Sequence, residues 1–180
     1  MATLNAARVL AGLVVTVPES AIGRHSPHSV AELGGALARA VDEWVRRERL
    51  GYYPPLDFIQ SRGGLDEDLV DVLEQLAWLS AGLAQQEIRS RLRPLFAGVR
   101  FKSVQTVAYG MPPVRPGQNN ALRRLAGHYT PNRLRLDLEV TLFRRAAGDE
   151  QLTAYVRRVC YRHLREPFAD VEVGNVINLE

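Results

Sequence analysis

Residues Leu134 to Phe143 read LRLDLEVTLF. Leu134, Leu136, Leu138, Val140 and Leu142 fall on one side of a period of two, and Arg135, Asp137, Glu139 and Thr141 on the other. Successive side chains of a strand point to opposite faces, so the pattern predicts a β-strand with one buried and one wet face. Its ten residues are long for a strand, which makes it the expected backbone of the sheet. A one-sided strand implies an antiparallel or mixed sheet with helices mainly on one face. The expected fold class is therefore α+β, in a single domain spanning residues 1–180.

Beyond this strand comes a turn, Arg144 to Asp149, then a predicted helix from about Glu150 to Arg165. Leu152, Val156, Val159, Cys160 and Leu164 form its inward stripe, Arg157, Arg158, Arg162 and Arg165 point outward, and Pro167 closes it. A short strand, Val171 to Val173, and an apolar tail with Val176, Ile177 and Leu179 follow.

Before the strand, residues Gly110 to Asn132 are different in kind. They hold Pro112, Pro113, Pro116 and Pro131, three glycines and Asn119-Asn120, with Arg115, Arg123, Arg124, His128 and Tyr129 among them and Arg133 just beyond. Connections of more than about 15 residues inside a domain are uncommon and usually functional. Val99 to Tyr109 reads as a strand.

The chain opens on a predicted strand, Arg8 to Val17, ended by Pro18, with a loop from Glu19 to His28. The same opening is open to a second reading as a signal peptide, but it lacks a strong basic n-region. Ser29 and Glu32 have the spacing of a capping box, and Val30, Leu33, Leu37, Val41, Trp44 and Val45 make a helical stripe. Gly34-Gly35 inside it costs about 1 kcal/mol per glycine against alanine, so the pair either breaks the helix or permits a close crossing. Tyr52-Tyr53-Pro54-Pro55-Leu56-Asp57-Phe58 is an aromatic, proline-stiffened connector. A long helix begins near Asp66 with stripe Leu69, Val72, Leu73, Leu76, Leu79 and Leu83, acids in its first turns and Gly82 expected to bend or divide it. Its second half carries Ile88 and Leu92 inward and Arg89, Arg91 and Arg93 outward.

With 46% hydrophobic and 24% charged residues the composition is that of an ordinary globular protein. No apolar run reaches the roughly 18 residues of a membrane span. One cysteine, Cys160, cannot form an internal disulfide and fits a reducing compartment. Net charge is only +3, yet Lys102 is the sole lysine among 23 basic residues. Arginine forks suit carboxylates and phosphates alike; a GC-rich coding sequence would also produce this bias.

Enzyme motifs do not emerge. Gly-Gly at 34–35 and 63–64 has no phosphate-loop spacing, and no Gly-x-Ser-x-Gly elbow occurs. Cys160 sits on an inward stripe, where an inert thiol is expected, and His163 has no orienting third group. His25 and His28 lack further ligands for a metal, and Asp66, Glu67, Asp68, Asp71 and Glu74 read as a solvated helix face. No cofactor, metal or catalytic residue is expected.

Two features remain. The arginine-rich loop, with Arg115, Arg123, Arg124, Tyr129 and Arg133, suits either acidic patches of a neighbouring subunit or a nucleic-acid backbone. The connector residues Tyr52, Tyr53 and Phe58 suit an interface or the edge of the core.

Pro55-Leu56-Asp57-Phe58, the helix ending in Glu87-Ile88-Arg89 through Leu92, then Val99 to Val107 and the strand Leu134 to Leu142 resemble, in order, the baseplate wedge family of contractile phage tails and type VI secretion systems. The family's Glu-Pro-Arg signature is absent, Arg93-Pro94-Leu95 standing there instead, and the loop 110–132 is longer than its pattern. Leu134 to Val173 is also similar to phage tail-terminator and connector proteins. The resemblance implies a structural subunit without catalysis, located in a bacterial cytoplasm or a virion and bound to other subunits as a homo- or hetero-oligomer. The alternatives are a nucleic-acid-binding module and a small enzyme without a recognisable motif.

Overall fold

The computed structural model describes residues 6–26, 30–107, 131–143 and 151–179. Four strands and five helices are described: β1 Ala6–Thr16, α1 Glu19–Gly23, α2 Val30–Arg47, α3 Leu56–Ser61, α4 Glu67–Leu92, β2 Gly98–Thr106, β3 Arg133–Phe143, α5 Leu152–Leu164 and β4 Asp170–Asn178. The strands form one sheet in the order β2-β3-β1-β4, every neighbouring pair antiparallel. The chain is thus α+β, as its alternating strand implies.

β3, the strand spelled out by the alternation, lies inside the sheet between β2 and β1. Its register sets Leu138 opposite Ala11 on one side and Phe101 on the other. Leu134, Leu136, Leu138 and Val140 are fully buried, as are Val9, Ala11 and Val15 of β1. The pleat alone sorts these residues to one face.

The chain divides into two compact units. The first holds the whole sheet, the C-terminal part of α4 from Ser80, and α5; the second holds Glu19–Leu79 and a second segment, Val107–Asn132. The boundary falls within the continuous helix α4. In the first unit β1 and β2 both run against β3, so they are parallel to one another; so are β3 and β4, which both run against β1. Parallel strands need a crossover, usually helical. The last turns of α4 precede β2, and α5 bridges β3 to β4, packing on β4 and β1. The result is the split β-α-β order of strands and helices, with Glu19–Leu79 of the second unit inserted in the first crossover.

α5 buries Val156, Val159, Cys160 and Leu164 of the expected stripe, while Leu152 at its start is half-buried. In α4, Leu76, Ser80, Ala84, Ile88 and Leu92 are buried at every fourth position. In α2, Leu37, Val41 and Val45 are fully buried.

Several expectations need correction. Glu19–Gly23 is a helical turn within the expected loop, burying Ile22. Leu56, Asp57 and Phe58 belong to helix α3, so the connector ends at Pro55. Gly82 does not interrupt α4, and Gly34-Gly35 does not break α2, where Gly34 is buried. The apolar tail is the second half of β4, which continues past the bulge opposite Gly12 because Ile177 pairs with Leu10. Glu139, expected on the wet face, is only 7% exposed. Ser29 and the turn 144–150 lie outside the described residues.

Candidate interaction surfaces

In the second unit the three connector aromatics part company. Tyr53 is buried and donates its hydroxyl to Asp42 Oδ1 at 2.7 Å. Asp42 Oδ2 also lies 3.2 Å from Arg46 Nε, so a nearly buried carboxylate is paired on both oxygens. Tyr52 is 55% exposed. Phe58 stands edge-on to Trp44, with ring centres 6.3 Å apart, and the Arg62 guanidinium lies 5.1 Å over its ring. Trp44, Glu48, Leu50, Phe58 and Arg62 line a shallow cleft of about 360 Å³.

Gly64 makes that arrangement possible. A Cβ there would stand 2.8 Å from Trp44 Cδ1 and Nε1 and 2.6 Å from Ile59 Cγ2. The preceding Gly63 has φ +70°, a left-handed conformation that glycine adopts at little cost. The Gly-Gly pair is thus a helix stop packed under an indole.

Trp78, on α4, is 84% exposed. It lies off the apolar stripe Leu69, Val72, Leu73 and Leu76, and that offset was the available sequence signal. Tryptophan is highly buried on average in folded proteins, which sets this side chain apart.

In the first unit the outer face of the sheet is a lattice of charge pairs. Glu139 Oε1 is 3.4 Å from Arg8 Nη1, and its Oε2 is 3.1 Å from Lys102 Nζ. Contact with Lys102, reinforced by Arg8 and Arg100, holds the Glu139 carboxyl below its ordinary range against an opposing desolvation. Lys102 reaches across because β2 bulges between Phe101 and Ser103. Ser103 Oγ donates to Asp137 Oδ2 at 2.7 Å. Arg133, predicted as an interaction residue, is paired with Glu172 at 3.2 Å.

Edge strand β4 is guarded from α5. Arg157 Nη1 donates to the Val173 carbonyl at 2.8 Å and Nη2 to the Gly174 carbonyl at 2.6 Å. Two carbonyls at the bulge are thereby occupied.

The end of α4 carries arginines of two kinds. Arg91 is paired with Glu87 at 3.0 Å and lies 3.9 Å from Glu166. Arg89 instead lies 5.0 Å over the Phe101 ring. Gly82, Gln85, Gln86, Arg89, Ser90 and Arg93 line an open groove of about 570 Å³ that ends at Pro94. The sequence shows these arginines pointing outward but cannot distinguish the paired from the unpaired.

Cys160 is fully buried, and burial pushes its thiol up to about 12, so the thiolate that would act as a nucleophile is suppressed. Among the described residues no group of three His, Cys, Asp or Glu could hold a metal ion, and no helix is long and apolar enough to cross a membrane. Arg115, Arg123, Arg124 and Tyr129 lie outside the described residues. Compared with family models, curated proteins and solved structures, the chain matches none.

Proposed function

We propose that the chain is a structural subunit of a symmetric, phage-tail-like assembly that acts through protein–protein contacts. The observation that carries this reading is Trp78, an indole 84% exposed on a regular helix. Tryptophan and tyrosine are enriched among the residues that dominate interface energetics, because a rigid ring buries much area at small entropic cost. Tyr52 and Phe58, 55% and 39% exposed in the same unit, add aromatic surface of the same kind. The segment order from Pro55 to Leu142, which resembles contractile-tail baseplate proteins, supports the phage-tail reading, and the location that goes with it is a bacterial cytoplasm or a virion. On the sheet's outer face, pairing of Arg8 and Lys102 with Glu139 and of Arg133 with Glu172 leaves less cationic surface for nucleic acid.

Trp44 and Trp78 are the two tryptophans, and Trp44→Phe leaves Trp78 as the only indole. Its emission is expected to shift to shorter wavelength as protein concentration rises, and native mass spectrometry to show oligomers that Trp78→Ser disperses. A monomer at all concentrations, with unshifted emission, refutes the reading.

A further inference from the structure

From the groove along the end of α4 we infer a docking site for an extended, carboxylate-rich segment of a partner protein. The inference deepens the assembly reading and rests on it. Among the described residues, neither Arg89 nor Arg93 has a carboxylate within ion-pair distance. They stand four positions apart, so they share one helical face and repel each other. The helix dipole favours a cation in the last turn, but does not require two on one face.

Arg91, between them in sequence, shows what they lack. It faces elsewhere and already pairs with Glu87 and Glu166. Carboxylate is thus the complement this helix end uses for its own arginine. Arg89 also lies 5.0 Å over the Phe101 ring, a cation–π contact that restricts its guanidinium before any ligand arrives. A pre-placed guanidinium loses less side-chain freedom on binding.

Gln85, Gln86 and Ser90 decide between partners of like charge. Each carries both a donor and an acceptor. A peptide main chain offers N–H and C=O groups to match both, whereas a phosphodiester offers acceptors alone, which would waste the two glutamine carbonyls. From Gly82 to Pro94 the groove runs roughly 18 Å at the helical rise, room for about five residues of extended chain. Gly82 has nothing within 4 Å of where its Cβ would be, so that end is open.

The test measures anisotropy with a short fluorescein-labelled peptide of alternating Glu and Ser, its Gln-Ser counterpart, and a single-stranded oligonucleotide of matched length. The Glu-Ser peptide is expected to bind the parent chain in a salt-sensitive way and the Gln-Ser peptide weakly. Arg89→Gln/Arg93→Gln should weaken binding about tenfold, the loss of two charge-assisted pairs at a partly exposed site. Arg91→Gln should change it less than about twofold. Arg93→Glu alone, which leaves the Arg89–Phe101 contact in place, should also abolish most of the binding. Binding retained in both arginine variants, absent from the parent, or tighter for the oligonucleotide overturns the inference. Failure of the assembly reading is seen separately, as unshifted Trp78 emission in a chain that still binds the peptide.

Discussion

Leu138→Ala tests the sheet at its centre. Leu138 is fully buried, and in the register it faces Ala11 on β1 and Phe101 on β2. Truncation removes three carbons, a transfer loss of about 2.4 kcal/mol at ~0.8 kcal/mol each. The small Ala11 methyl cannot swing into the space, and both flanking backbones are pinned by ladder hydrogen bonds. A residual void of roughly 50 Å³ adds about 1.2 kcal/mol at ~24 cal/mol per Å³. The expected loss is therefore about 3.5 kcal/mol, a large part of the roughly 5–15 kcal/mol available to a domain. With a urea m-value of about 2 kcal/mol per M, the midpoint falls by roughly 1.5–2 M. Both tryptophans lie in the other compact unit, so indole fluorescence is the wrong probe. Amide hydrogen exchange of β1 and β3 reads the sheet directly. A destabilisation below about 1 kcal/mol, typical of surface changes, would refute the central placement of β3. Leu138→Asp, which buries an unpaired charge, should abolish the cooperative transition altogether.

Other perturbations probe other parts of the fold. The Glu139 carboxyl has a lowered folded-state pKa, so its stabilising effect is fully present above its ordinary value of 4.5 and is lost as pH falls through the lowered value. Lys102→Met should therefore shrink the difference in stability between neutral and acid pH, as measured by urea titrations; an unchanged difference would remove Lys102 as the cause. Cys160, its thiol raised to about 12, should react with a thiol reagent at neutral pH only as fast as the native state opens, and a rapid stoichiometric reaction would contradict its burial. Gly64→Ala should cost about 1–3 kcal/mol by forcing apart the Trp44 and Ile59 side chains, with a shift in indole near-UV circular dichroism. An unaltered melt and spectrum would show that the Trp44 packing is not as tight as the distances indicate.

The alternation from Leu134 to Leu142 identified an interior strand because both neighbours and the buried face impose the same period. The stripes of α2 and α5 were legible for the same reason, a single apolar face meeting a single surface. The errors arose where tertiary pairing overrode local pattern. Val176 and Ile177 read as a tail until Leu10 is set beside Ile177. Glu139 alternates with leucines and so reads as wet; its burial depends on Arg8 and on a lysine displaced by a bulge in a different strand. Of the predicted interaction residues, Tyr52 and Phe58 are at the surface, Tyr53 is turned inward onto Asp42 and Arg133 is paired with Glu172. The exposure of Trp78 is legible in its offset from the stripe of α4, whereas the pairing of Arg91 and not of Arg89 depends on what lies opposite each helix position, which a one-dimensional period does not contain.

Placing Glu19–Leu79 inside the first crossover has a consequence for the birth of the molecule. Arg8 and Glu139, joined by an ion pair in the finished sheet, are 131 residues apart in the chain. At a synthesis rate of about 5–20 residues per second, β1 waits roughly 7–26 s for its first partner strand to be made. During that interval an eleven-residue strand with the sequence AARVLAGLVVT has no ladder to join. The helices of the intervening segment Glu19–Leu79, whose contacts are local, can form in a small fraction of that time. The slow step should therefore be the late capture of β1 between β3 and β4, and the nascent chain is most prone to aggregate while its first strand is still unpaired.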